Sequence, residues 1–403
     1  MTEQVLEQRA ELQEVAAGRT VCDALAVAAA SWPDRPAYSD RDGGPGSGWQ
    51  TITWARTREL SLELAAGLVA LGLQPGERVA LMLPNRAEHV LADQAALHAG
   101  GIPVTFYPTL APDQVAYMAA DCDARVAVLD GAAELARWQP VLDQLPGLRR
   151  VIVRDAAACP AGEPYLSWAA FAELGAARVA ELAGEVAART AAVAPADPVT
   201  LLYTSGTTGM PKGVVVTHAS VMYELAAVTA AGTARPFTRW VSYLPLAHIA
   251  ERMFTLYLAI HLGWQVYFCH NASAELIGTV GEVRPTAFFG VPRVWEKIQA
   301  GIQALLAAEA DEGRRAAVAG AMATGLRYVE SCQYGHQTSD ELAAEFGAAE
   351  EAVLKPIRSL LGLGEAEIVV SAAAPLPPEV GAFFAGLGLR ILEIGRASCR
   401  ERV

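Results

Sequence analysis

The densest set of chemically competent side chains in this sequence is Thr204, Ser205, Gly206, Thr207, Thr208 and Gly209, closed after Met210 and Pro211 by Lys212. Gly206 and Gly209 let the backbone turn tightly and approach a bulky anion, because neither carries a Cβ. A backbone turned in this way aims successive N–H groups at one point and makes a concave anion site. Thr204, Ser205, Thr207 and Thr208 add hydroxyl donors, and Lys212 adds a mobile point charge. The pattern reads as a polyphosphate cradle. It differs from a Walker-type loop, which ends in Gly-Lys-Ser/Thr and runs into a helix. Here Lys212 is followed by Gly213 and the β-branched run Val214, Val215 and Val216, which reads as a strand. A solvated Ser/Thr/Gly hairpin turn has the same composition and is the alternative.

Three further segments have residues that suit a ligand site. Tyr243-Leu244-Pro245-Leu246-Ala247-His248-Ile249-Ala250-Glu251-Arg252 follows a strand pattern and opens a helical one, so His248 falls where a ligand can meet a strand's carboxyl edge. A lone histidine is as often structural. Glu251 and Arg252 read as a helix-start charge and a structural ion pair. Phe288-Phe289-Gly290-Val291-Pro292-Arg293-Val294-Trp295 sets a glycine at a strand end, where an apolar ligand could come close. Gly290 and Val291 are the candidate pocket positions. Phe288, Phe289 and Trp295 fit the wall of an apolar tunnel and fit a packed core equally well. Ala372, Ala373 and Ala374, after Ser371, are small enough for a flat ring to lie against the backbone, and an ordinary strand-to-helix turn explains them nearly as well. His218 reads as packed rather than catalytic. HExxH, GxSxG and dense His/Cys clusters are lacking, which leaves zinc hydrolysis and serine-elbow chemistry without support.

The elements that would position these residues alternate. Short apolar strands (78–83, 104–107, 125–129, 150–153) are separated by amphipathic helices (57–71, 87–98), the pattern of an α/β fold with parallel sheets. The alternation resumes after the cradle with strands at 214–217, 240–244, 265–268, 286–291, 367–371 and 389–394. Residues 292–361 are helical for far longer than an ordinary crossover. The apolar stretch 253–269 is interrupted by His261, Gly263 and Gln265, so it reads as a buried helix and strand rather than a membrane span. The Ala/Glu-rich segment 176–198 is expected to join two subdomains.

Composition sets outer limits. A chain of 403 residues, 53% hydrophobic and 19% charged, can bury a large core. A net charge of −13 argues against a nucleic-acid partner. The six cysteines include no CxxC pair, and the acidic N-terminus shows no signal-peptide h-region. Reduced thiols in the cytoplasm are therefore expected, with peripheral membrane contact left open.

The cradle segment resembles the phosphate-binding signature of the adenylate-forming (AMP-binding) enzymes, which include acyl-CoA synthetases, luciferases and peptide-synthetase adenylation domains. The His248 block resembles that family's LPLAHxxER segment, residues 290–297 its GVPRVWEK segment, and residues 371–376 its adenine-side loop, usually richer in glycine. The long helical stretch after Pro292 is similar to that of long-chain and bubblegum-type fatty acyl-CoA synthetases. The resemblance implies two doubly wound α/β sheet subdomains of a large N-terminal domain, followed in the family by a mobile C-terminal lid. It implies ATP and coenzyme A as co-substrates and Mg²⁺ as cofactor. The expected activity is conversion of a long-chain fatty acid to its acyl-adenylate and then its acyl-CoA. The residues from Thr204 to Gly209 with Lys212 would grip the phosphates, and Thr204 would also assist the metal. Ala372, Ala373 and Ala374 would meet the adenine, and His248 would position the carboxylate.

One departure stands out. After the strand ending at Ile394 the family has Tyr-Gly-x-Thr/Ser-Glu, whose glutamate helps hold magnesium. This sequence has Gly395-Arg396-Ala397-Ser398-Cys399-Arg400-Glu401-Arg402-Val403. The expectation is that residues 1–394 form part of an AMP-binding N-terminal domain without its lid. Residues 395–403 are then a non-native tail, although a genuine short basic tail has the same composition. Two other readings remain: a non-catalytic nucleotide-binding fragment, and a ligase for another carboxylic acid.

Overall fold

The computed structural model describes residues 3–42, 46–204, 210–333 and 336–394. The chain divides into two compact units, one of residues 1–237 with 242–273, the other of residues 238–241 with 274–403.

The first unit is organised by a five-stranded parallel sheet. In spatial order its strands are Ile102–Thr105, Arg78–Met82, Ala124–Leu129, Arg150–Val153 and Tyr165–Ser167. Side chains alternate across a strand, and both faces here are apolar. Val79, Leu81, Val126, Val128 and Ile152 join one buried cluster; Ala80, Met82, Ala127, Leu129, Val151 and Val153 join the other. The sheet is therefore wrapped on both sides, as a doubly wound α/β fold requires. Helices Trp54–Ala70 and Trp168–Ala192 cover the first face. Trp138 and the helix Pro112–Asp121 cover the second. A further strand, Pro36–Asp40, lies between Gln265–Phe268, to which it is parallel, and Gln50–Thr53, to which it is antiparallel.

Residues 176–198 are the segment expected to join two subdomains. Most of the segment belongs to the helix Trp168–Ala192, which packs along Trp54–Ala70 inside the first unit. Two glycines permit the close approach: a Cβ on Gly175 would lie 2.3 Å from the Glu63 carbonyl oxygen, and one on Gly67 would lie 2.8 Å from the Phe171 ring.

In the second unit, strands Ala287–Gly290, Ile368–Ser371 and Ile391–Glu393 form a parallel sheet. Residues 238–241 attach to it from far upstream. The Arg239 N–H donates to Thr286 Oγ1 at 3.0 Å, and its guanidinium meets Glu365 at 2.5 Å. The long helical stretch is as expected, with helices Pro292–Ala308, Glu312–Ser331, Asp340–Ala349 and Lys355–Leu360. Among the described residues no helix is long and apolar enough to cross a membrane, and the five cysteines described are all free thiols.

Candidate active site

The cradle segment is carried by a two-stranded antiparallel ribbon. Strand Pro198–Thr204 pairs with Lys212–Thr217 in a register that sets Thr204 opposite Lys212. Both residues are exposed at the mouth of the ribbon. Ser205, Gly206, Thr207, Thr208 and Gly209 lie outside the described residues. The ribbon's root is fixed to the first unit's sheet. The Thr200 hydroxyl donates to the Pro103 carbonyl at 2.8 Å, and the Tyr203 hydroxyl donates to Asp121 Oδ2 at 2.5 Å. Burial, and then the Asp121 carboxylate, push the Tyr203 phenol well above its ordinary range, so it stays a donor. The β-branched run after the lysine forms the second strand, as expected, and leaves Val214 and Val215 largely in water.

His248 caps the helix Ile249–Arg252. Its Nδ1 accepts the Ala250 N–H at 3.2 Å. A neutral imidazole with Nδ1 as acceptor carries its proton on Nε2, so Nε2 is the donor a carboxylate would need. The helix continues through the π-turn Met253–Leu258 and ends at Gly263, whose φ of +65° is the left-handed conformation that favours glycine.

Beneath His248 lies a buried polar network that sequence reasoning missed in part. Arg252 is an ion-pair residue, as expected: its guanidinium donates to Asp93 Oδ2 at 2.6 Å, and both side chains are fully buried. It also donates to the Tyr257 hydroxyl and to Thr105 Oγ1, at 3.1 and 3.0 Å. Burial works against the arginine's charge, and the Asp93 carboxylate outweighs it, so Arg252 is raised above its ordinary range. His89 reaches the same Thr105 hydroxyl at 3.1 Å. Burial, with Arg252 nearby, lowers it to about 3 and keeps it neutral.

Glu251 stands in the first turn of its helix, as expected of a helix-start charge. It is buried, and its Oε1 accepts from Ser242 Oγ at 2.7 Å and Thr255 Oγ1 at 2.6 Å. Asn85 reaches the same oxygen at 3.5 Å and donates to the Leu244 carbonyl at 2.6 Å, bracing the turn that leads to His248. The available signal was Asn85 following Pro84 directly after a strand, and Asp93 set among apolar residues in a helical pattern. His218 is packed, as expected, with Nδ1 accepting the Val21 N–H at 3.1 Å.

The second unit brings its candidate residues to one edge. Gly290, Ser371 and Glu393 lie level in register at the carboxyl ends of three adjacent parallel strands. The loops leaving those ends hold Val291, then Ala372, Ala373 and Ala374. Carboxyl ends of parallel strands are where open α/β sheets bind ligands. The space beside Gly290 is filled, however. A Cβ there would lie 2.6 Å from the Trp295 indole, which is fully buried and donates to the Gly290 carbonyl at 2.9 Å. Trp295 also meets Phe288 and Phe384 edge to face, so these aromatics are packed core. Ala373 is held at φ +76°, a conformation natural to glycine and strained for alanine.

No group of three or more His, Cys, Asp or Glu among the described residues is placed to hold a metal ion. A magnesium ion at this site would take the Thr204 hydroxyl together with nucleotide phosphates, the common arrangement for that cation.

The first unit thus carries a parallel α/β sheet, an antiparallel ribbon with Lys212 opposite Thr204, and a helix capped by His248. A family model described as AMP-binding enzyme matches residues 25–399, and the chain belongs to that family. It is 46% identical over 203 residues to the putative fatty-acid–CoA ligase fadD11 of Mycobacterium tuberculosis, covering 50% of this chain and 35% of that protein. It is 33% identical over 349 residues to the long-chain-fatty-acid–CoA ligase ACSBG1 of Homo sapiens, covering 85% and 47%. The chain thus spans half or less of the length of these relatives. The N-terminal domain of FACL13 from Mycobacterium tuberculosis shares the fold, with a TM-score of 0.64 at 18% identity over 94% of this chain and 76% of that one. The adenylation domain of a carboxylate reductase from Mycobacterium chelonae does so too, with a TM-score of 0.67 at 19% identity over 96% and 59%.

Proposed function

We propose that this chain is the nucleotide- and acyl-binding portion of an ATP-dependent ligase for long-chain fatty acids. The observation that carries the proposal is the ribbon register. It sets Thr204 opposite Lys212 at the two ends of a loop whose sequence is rich in glycine and hydroxyls. That arrangement suits a polyphosphate, whose charge Lys212 offsets while hydroxyl and N–H donors fix its oxygens.

In the proposed reaction a carboxylate oxygen attacks the α-phosphorus of ATP, the bond to the β-phosphate breaks, and pyrophosphate leaves. The coenzyme A thiolate then attacks the acyl-adenylate carbonyl and expels AMP. Bound Mg²⁺ would supply charge neutralisation at the phosphates. His248, donating through Nε2, would hold the carboxylate in line. Glu251 with Asn85, and Arg252 with Asp93, would hold the turn that presents it. Ala372, Ala373 and Ala374 would lie against the adenine, and Val291 with the Gly290 backbone would border the acyl group. The long acyl chain is supported by the relatives' activities and by the long helical stretch after Pro292.

Isotope exchange between pyrophosphate and ATP, with palmitate, laurate and acetate compared, tests the proposal beside calorimetric titration with ATP. Palmitate-dependent exchange is expected. Heat of ATP binding without exchange for any acid would favour the non-catalytic nucleotide-binding reading. Exchange with acetate alone would overturn the long-chain assignment.

A further inference from the structure

The long helical stretch of the second unit borders a half-open apolar cavity of about 690 Å³, within the roughly 300–1,000 Å³ of small-molecule sites. Its walls are the C-terminal part of helix Pro292–Ala308, the first half of Glu312–Ser331, and Lys355–Leu360 with the residues before it. Leu305, Val318, Met322 and Leu360 are among the lining side chains. Leu305 is 62% exposed and Leu360 78% exposed, so the packing of the three helices does not account for them.

Two guanidiniums complete the lining, Arg314 and Arg315, with one carboxylate, Glu309. Their ion pairs are loose. Arg314 lies 3.6 Å from Glu309 with its side chain 74% exposed, and Arg315 lies 3.7 Å from an almost fully exposed Glu312. Exposed pairs of this kind contribute little, so each arginine can exchange its carboxylate for another anion. An apolar slot edged by cations matches a single alkyl chain ending in an anionic head.

The cavity is separate from the candidate site at the strand ends. Leu305 stands 13 residues beyond Pro292, about 20 Å along the helix axis at roughly 1.5 Å per residue. At the near end of that helix, Trp295 fills the space beside Gly290.

We propose that this cavity is a second binding site, for a single-chain anionic amphiphile of the fatty-carboxylate class. Binding here needs no turnover, so it can be read whether or not the chain ligates. The test uses the 403-residue chain with cis-parinarate, a fluorescent fatty acid, and with a photoactivatable diazirine analogue of palmitate. Crosslinks are expected on residues 302–322 and 352–361. The doubly substituted Arg314→Glu/Arg315→Glu chain should lose those crosslinks and bind parinarate about tenfold more weakly. Leu305→Glu, at an exposed position where folding is not at risk, should weaken it as well. A cationic chain of the same length, hexadecyltrimethylammonium, should not be weakened by the arginine substitutions. Crosslinks confined to other regions would overturn the proposal, as would an arginine-independent affinity. Binding to phosphatidylglycerol vesicles without binding of free parinarate would overturn it in favour of a membrane surface. Loss of palmitate-dependent exchange with these crosslinks intact would fail the ligase reading alone.

Discussion

The Asp93–Arg252 pair offers the sharpest test of how the His248 turn is held. Both side chains are fully buried and 2.6 Å apart, so water cannot replace either partner. Asp93→Asn keeps the shape and removes the negative charge, leaving a buried guanidinium with only neutral partners. Breaking a buried pair from one side costs about 3–5 kcal/mol. For a unit of this size that corresponds to a fall in thermal midpoint of at least about 6 °C. The double variant Asp93→Leu/Arg252→Met removes both charges and should recover most of the loss. Recovery should be incomplete, because the Tyr257 hydroxyl then loses its arginine partner, a deficit of about 1–3 kcal/mol. Urea unfolding of the unsubstituted chain, Asp93→Leu, Arg252→Met and the double variant, followed by near-ultraviolet circular dichroism, gives the coupling energy directly, with Asp93→Asn measured beside them. A cost below about 1 kcal/mol for Asp93→Asn would refute the reasoning, since exposed pairs give values of that size.

Three other outcomes are expected. Burial lowers His218 and His98 to about 4 and His89 to about 3, so all three stay neutral in the fold while the unfolded chain takes up protons below roughly 6.5. Stability is therefore complete above that value and falls as pH drops toward 4, by up to about 3 kcal/mol for His218 alone; urea midpoints from pH 7.5 to 4.5 check it, and a flat profile would contradict it. Ala373→Gly relieves about 1–2 kcal/mol of left-handed strain against roughly 0.4–1 kcal/mol of added chain entropy, so a small net stabilisation is expected in a melting experiment. Gly175→Ala should cost about 1–3 kcal/mol, because its methyl would meet the Glu63 carbonyl, whereas Gly184→Ala on the same helix, with open space around it, should stabilise slightly; equal effects at the two positions would show that the helices do not pack as described.

Much of this architecture is legible as periodicity. Residues 78–82 and 124–129 alternate two apolar faces, and helix Ala87–His98 falls on the predicted boundaries. The ribbon was readable because Val214, Val215 and Val216 follow the lysine directly. Other features depend on distant partners. Low complexity in residues 176–198 suggested a junction; that most of them continue a helix packed along Trp54–Ala70 depends on an element far upstream. Glu251 was legible as a helix-start charge, but its burial was not, because its donors Asn85 and Ser242 come from other elements. Gly290 suggested room for a ligand, and the same missing Cβ serves the chain's own Trp295. In the candidate site, chemistry-bearing residue types were visible as a linear pattern; which atom of His248 donates was not, because that depends on the Ala250 N–H.

The interleaving of the two units has a consequence for biosynthesis. Asp93 lies 159 positions before its counter-charge Arg252. At about 5–20 residues per second, roughly 8–32 s pass on the ribosome between the two. The strand Gln265–Phe268, partner of Pro36–Asp40, is made later still, after the chain has produced residues 238–241 for the other unit. A nascent chain therefore holds the five-stranded sheet complete while Asp93 lacks its counter-charge and Pro36–Asp40 lacks its parallel partner, until those later segments have cleared the exit tunnel. The first unit cannot close in N-to-C order, and its assembly is timed by translation of a segment that begins after part of the second unit has been made.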